Sequence, residues 1–229
     1  TGISPGQKIL PLIRKYTSKP LILVLTHAHI DHWYHMDEFE TVYMCHREFE
    51  VGPDALRDMM ADKDLHPEQT LDIRTDTRIE LGGTSLSICE VPGHTPGSVV
   101  VLDERSNRLF TGDAIGSGYG VWMQTPTAIP LETYYESLVH LLKWLVDRGG
   151  RMSFHGGHRY QMFQSTHVPS FNPPSLGLLC DLIDLVDQIV HGKIVGRISN
   201  VDNIMELEPV LYAAYGRAEI QYKASNIRI

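Results

Sequence analysis

From His27 to His32 the chain reads His-Ala-His-Ile-Asp-His, four imidazole or carboxylate side chains within six residues. In extended backbone, residues two apart point to the same side, so His27 and His29 can address one ion. Asp31 and His32 lie just beyond, where the chain turns, within reach of a second ion a few ångströms away. Imidazole and carboxylate together suit zinc, and also iron or manganese. A polar His-rich loop with no metal is the plain alternative, and the density of donor groups argues against it.

Such donors need rigid elements behind them. Residues 21–25 form a continuous apolar run that leads through Thr26 into the His-rich loop, as expected of a strand covered on both faces. Residues 7–16 read as a short amphipathic helix with Ile9, Leu12, Ile13 and Tyr16 on one face. A short helix is expected at 36–39, a strand at 41–45, and two helical pieces within 46–60, split by Gly52-Pro53. From Ile73 the period becomes two: 78–81 and 85–88 alternate around Gly82-Gly83, a hairpin signature. Strands at 98–102 and 108–111 flank a turn at 103–107. Residues 112–130 read as a long loop, and loops of that length in compact domains usually serve function. The clearest helix is 131–146, where Leu131, Tyr135, Leu138, Leu142 and Leu145 recur at helical spacing. A short strand at 152–155, a proline-rich connection at 168–174, a helix at 176–191 and a mixed tail complete the chain. Strands alternating with helices, plus one antiparallel block, predict an α/β fold with helices layered on sheet.

The 229 residues are enough for one well-filled domain. A net charge of −8 without a basic cluster argues against a nucleic-acid partner. Cys45, Cys89 and Cys180 form no CxxC pair and no disulfide framework, which suits a reducing cytoplasm. No apolar run has the length of a membrane helix, and the first residues carry no signal-peptide pattern.

The segment from His27 to His32 resembles the HxHxDH signature of the metallo-β-lactamase superfamily, and three further elements follow in that family's order. Gly93-His94-Thr95-Pro96-Gly97-Ser98 resembles its GHTPGS element, Thr111-Gly112-Asp113 its TGD element, and Gly157-His158 its final GH element. The resemblance implies an αβ/βα four-layer sandwich, with a catalytic domain at 1–167 and a C-terminal helix and tail at 168–229 completing or extending it. It also implies two metal ions, zinc first, with iron or manganese as alternatives. His27, His29 and His94 would hold one ion, Asp31, His32 and His158 the other, with Asp113 between them. A water bridging two zinc ions would lose its proton near neutral pH. The hydroxide would attack a carbonyl or phosphoryl group, and Asp31 would orient that water and relay a proton. The implied activity is hydrolysis of a small ester, thioester or lactone, with no membrane partner. An iron-dependent sulfur dioxygenase, an RNA-processing nuclease and a non-catalytic binding module are the alternatives on the same scaffold.

Other residues have competing readings. His155 rivals His158 for the last ligand position. The glycine before His158 favours the latter, leaving His155 as a strand histidine or a partner behind the ligands. His35 reads as a surface or pocket-rim residue, in a Trp33-Tyr34-His35 stretch where many members of the family carry two glycines. Tyr119, Trp122 and Met123 are candidates to line the substrate pocket. Cys89 reads as a small buried strand residue, and His46, His66, His140, His167 and His191 as isolated surface or helix-face residues. Leu178, Leu182, Leu185, Val186 and Ile189 give the last helix an apolar stripe, read as core packing, with a pocket cover or a homodimer contact as alternatives. In the family, strands of the first sheet come before the point that matches Thr1. Such strands are therefore expected beside 21–25, from a preceding segment or a partner, because an apolar strand edge left open is unfavourable.

Overall fold

Parallel strands β1 (Leu23–Val24), β2 (Val42–Met44) and β3 (Leu71–Asp72) make a small sheet in that order. A computed structural model describes residues 1–51, 66–116, 120–158, 172–199 and 208–228. The second sheet has the order β4-β5-β6-β7-β9, built from β4 (Arg78–Glu80), β5 (Ser85–Glu90), β6 (Val99–Asp103), β7 (Arg108–Gly112) and β9 (Ser153–Gly156). Its first four strands are antiparallel, and β9 joins β7 in parallel. The alternation around Gly82-Gly83 thus produces the expected hairpin, with Gly82 at φ +72° supplying a conformation that a side chain would disfavour.

The third sheet differs from expectation. Residues 112–130 are not all loop, because β8 (Val121–Met123) lies within them and pairs in parallel with β12 (Ala218–Lys223) of the tail. The tail itself is a strand array, β10 (Arg197–Ile198), β11 (Val210–Tyr215) and β12, in the order β10-β11-β12-β8. Met123 is fully buried in the main core, so it does not line a pocket.

Helices cover these sheets. The long helices α3 (Leu131–Asp147) and α4 (Leu176–Val190) pack on each other and enter one apolar cluster with β5–β7 and β11–β12. Leu138 and Leu145 of α3, Leu182 and Val186 of α4, and Ile220 of β12 are fully buried there. The stripe on α4 is therefore core packing, each such side chain contributing about 1.5–3 kcal/mol. A second cluster places Leu25, Trp33, Val42 and Met44 around the first sheet, and a third, including Cys45, Ile73, Ile88 and Val99, joins that sheet to the second.

Three local expectations are corrected. Helix α1 spans only Leu10–Ile13 and buries no residue, Leu12 and Tyr16 being exposed while Ile9 and Ile13 are half-buried, so the predicted apolar face is covered only in part. The run 21–26 yields a two-residue strand. Among the described residues β1 has a strand neighbour only on its β2 side, and a groove of about 310 Å³ lined by Leu23, Val24, Leu86, Val101, Phe110 and His155 borders it. The His-rich segment is not a simple loop, since it contains α2 (Ile30–Trp33). The helical expectation at 46–60 is met by a 3-10 turn over His46–Val51, and its second piece lies outside the described residues. Among the described residues, no helix is long and apolar enough to cross a membrane.

Candidate metal centre

Where β1 ends, the chain runs extended through His29 (φ −72°, ψ 143°) and then turns into α2. This puts His27 and His29 on the extended segment and Asp31 and His32 in the first helical turn. The segment is held on three sides. Val99 N–H donates to the Thr26 carbonyl (2.8 Å), Gly2 N–H to that of Asp31 (2.6 Å), and Trp33 Nε1 to that of Ala28 (3.2 Å). His94 comes from the tight turn between β5 and β6, closed by Val91 N–H to the Ser98 carbonyl (2.7 Å) and underlain by the buried ring of Tyr134 against Gly93. Asp113 follows β7 and His158 follows β9, so the parallel pairing of these strands delivers both to the same end of the sheet. Gly112, at φ +50°, lies against the Thr26 side chain, where a side chain of its own would collide.

All seven predicted side chains meet. Three overlapping groups, His27/His29/His94, His27/His32/Asp113 and Asp31/His32/His158, each hold their donor atoms within 4.8 Å of one another. Asp113 Oδ2 is central, 3.1 Å from His158 Nε2, 3.7 Å from those of His32 and His94, and 3.8 Å from that of His27. Asp31 Oδ2 lies 3.3 Å from both His32 Nε2 and His158 Nε2.

Nε2 of His27, His32 and His94 and Oδ1 of Asp113 are buried without a hydrogen-bond partner among the described residues. Buried polar atoms are ordinarily satisfied, and orphans gathered around one point are what a bound cation would satisfy. The outward nitrogens, in contrast, are engaged. His94 Nδ1 donates to the Trp122 carbonyl (2.7 Å), His29 Nε2 lies 3.1 Å from Thr127 Oγ1, and His27 Nδ1 lies 3.2 Å from Thr26 Oγ1. Anchoring one ring nitrogen orients the other and leaves its lone pair for a metal.

Electrostatics divide the cluster. Burial, with neighbouring imidazoles, pushes His27 well below its ordinary pKa and His29 down to about 3, and burial also lowers His94. Each of these shifts favours the neutral ring, the form that binds metal. For His32, burial opposes charge, but Asp113 and Asp31 outweigh it and raise the ring to about 9. The hydrogen bond to Asp113 raises His158. Burial opposes ionisation of Asp31 and Asp113, yet His32 lowers the first, and His158 and His32 hold the second well below the usual carboxylate range. The donor set is thus anionic at its centre and ringed by imidazoles, a fit for a divalent cation.

The remaining predicted residues fall elsewhere. His155 stacks on Phe110, ring centroids 5.5 Å apart, outside the cluster. His35 is not a surface group. It is buried, with Nδ1 2.8 Å from Glu38 Oε1, and the Glu38 carboxylate also accepts from the Ile9 and Leu10 N–H groups at the start of α1. His46 is not isolated, its Nε2 lying 2.9 Å from Thr70 Oγ1. His66, His140 and His191 are exposed and Cys89 is buried in β5, as expected. Tyr119 and His167 lie outside the described residues. Sequence reasoning missed Thr127, which sits in the segment singled out as functional but carries no pattern that marks it.

The family model for the metallo-β-lactamase superfamily matches residues 1–158. The probable metallo-hydrolase YqgX of Bacillus subtilis is 26% identical over 188 residues, covering 75% of this chain and 85% of that protein. The acyl-coenzyme A thioesterase MBLAC2 of Homo sapiens is 28% identical over 152 residues, 57% of this chain and 53% of its own length. The chain spans 61% of the length of mycobacterial relatives to which it is 29% identical. A metallo-beta-lactamase from Pontibacter korlensis shares the fold, with a TM-score of 0.55 at 19% identity over 81% of this chain and 78% of that one.

Proposed function

This chain belongs to the metallo-β-lactamase superfamily, and from that premise we propose that it is a dinuclear metal-dependent hydrolase of small carbonyl compounds, an ester, thioester or lactone. The observation that carries the reading is the set of buried, inward-facing donors without a hydrogen bond among the described residues, His27, His32 and His94 through Nε2 and Asp113 through Oδ1. His27, His29 and His94 would hold one ion and Asp31, His32 and His158 the other, with Asp113 shared. Zinc is the first candidate, because histidine and carboxylate suit it, and iron is the second. When bound, the two ions supply a Lewis acid and a water acidified to about neutral pH. The chain's own part is orientation. Trp122, Thr127 and Thr26 hold the rings of His94, His29 and His27 from behind, and the core beneath Tyr134 fixes the His94 turn. Asp31, one-third exposed, stands on the open side, where its carboxylate can take a proton from the attacking water and pass it to the leaving group. The thioester class is supported by the likeness to MBLAC2.

The test is a hydrolysis panel of esters, acyl thioesters, lactones and phosphodiesters with zinc-reconstituted protein. Turnover of a carbonyl substrate that a chelator abolishes and zinc restores is expected. A chain carrying its full metal complement that cleaves only phosphodiesters, or nothing, would overturn the proposal.

A further inference from the structure

Glu48 is fully buried, yet it belongs to none of the three donor groups. It comes from the 3-10 turn His46–Val51 that follows β2. Its Oε1 accepts from two partners that are remote from it in sequence. One is the backbone N–H of Ala28 (3.3 Å), the residue between His27 and His29, and the other is the hydroxyl of Thr95 (2.6 Å), the residue after His94. Thr95 is itself fixed, with its N–H accepted by Ser98 Oγ (3.2 Å) and its Oγ1 2.7 Å from the same hydroxyl. Gly97 completes the fit, since a Cβ there would come within 2.6 Å of Glu48 Cγ. One carboxylate oxygen thus ties the His27–His29 segment to the His94 turn, and the three rings they carry stand 4.5–5.0 Å apart at near-perpendicular angles. A buried carboxylate is costly, and an apolar side chain would fill the same space without making either bond.

We propose that Glu48 is a positioning residue that braces the two ligand-bearing segments and so sets the geometry of the His27/His29/His94 group. The proposal rests on that group being a metal site. Loss of a partner behind the ligands typically weakens metal binding by about 10–100-fold. The test titrates zinc against a competing chelator into the metal-stripped full chain, with thermal unfolding of each stripped variant measured alongside. Glu48→Gln keeps an acceptor oxygen and is expected to bind zinc within about threefold of the unaltered chain. Glu48→Met keeps volume but not the acceptor, and is expected to lose about 10–100-fold. Thr95→Val removes one donor while leaving Glu48 in place, and should weaken binding in the same direction even if Glu48→Met fails to fold. Rescue by glutamine separates positioning from bulk packing, which methionine satisfies equally. Equal affinity in the methionine and unaltered chains, equal losses in methionine and glutamine, or an unaffected Thr95→Val would each overturn the proposal. Failure of the unaltered chain to bind zinc would instead sink the metal site itself.

Discussion

Gly157→Ala should cripple the metal centre without removing a donor atom. Gly157 is not among the glycines with positive φ, so alanine fits its backbone, and any effect is one of space. A Cβ there would lie 2.5 Å from Asp113 Oδ1, 2.9 Å from His32 Cε1 and 3.1 Å from the Gly112 carbonyl carbon. Ordinary carbon–oxygen contact begins at about 3.3 Å, so the Asp113 carboxylate must retreat by roughly 0.8 Å. Metal–ligand distances tolerate only about 0.2 Å, and a shift of that size in the shared carboxylate should weaken binding by about 100-fold. With zinc at about 1,000 times Kd, binding stabilises the native chain by about 4 kcal/mol, and 100-fold weaker binding leaves about 1.4 kcal/mol. For a chain of this size each kcal/mol moves the midpoint by about 2–4 °C. The variant in zinc should therefore unfold about 5–11 °C below the unaltered chain, and within about 2 °C of it in chelator. Differential scanning calorimetry under the two conditions reads both numbers. A variant whose zinc-induced shift equals that of the unaltered chain would refute the placement of Gly157 against the site.

His158→Ala should lose one of the two ions and most activity, whereas His155→Ala, which removes a ring stacked on Phe110 and in contact with Ser153 Oγ, should keep both. Elemental analysis of the two variants side by side decides it. Thr127→Val removes the oxygen beside His29 Nε2 and should weaken zinc affinity by about tenfold, read by chelator competition. Burial pushes the Glu48 carboxyl up from 4.5 to about 7. A carboxyl raised on folding favours the native state below its unfolded pKa, and that contribution is lost as pH rises through the folded value. The metal-free chain should thus lose up to about 3 kcal/mol from this group between pH 4.5 and 8. Glu48→Gln should remove that slope, and urea unfolding in chelator at both ends of the range measures it.

The donor cluster was legible because its residues are rare types compressed into short motifs. Four of the seven lie within His27–His32, and the other three stand beside glycines where neighbouring side chains leave no room for a Cβ. The hairpin at Gly82-Gly83 and helices α3 and α4 were equally plain, since local alternation or helical spacing decides them. Strand β8 was not. Its three residues become a strand only through pairing with β12, Val121 against Ile220, a partner far along the chain that no local pattern reveals. The same holds for β11, whose burial does not alternate because its neighbours and α4 cover it unevenly. The run at 21–26 showed the converse error, in which apolar composition overstated a strand that has a neighbour on one side only among the described residues. Glu48 and Thr127 were invisible for a third reason. Each acts through a single hydrogen bond or two to a residue brought close by the fold, and a lone polar residue in sequence carries no sign of its partner.

The central claim is that seven side chains hold two ions through a shared Asp113. The most direct measurement is the zinc content of the metal-replete, gel-filtered chain, taken by inductively coupled plasma mass spectrometry with protein quantified by amino-acid analysis. The account predicts two zinc ions per chain. A value of one or fewer, from protein that unfolds cooperatively and is saturated with zinc, would contradict it.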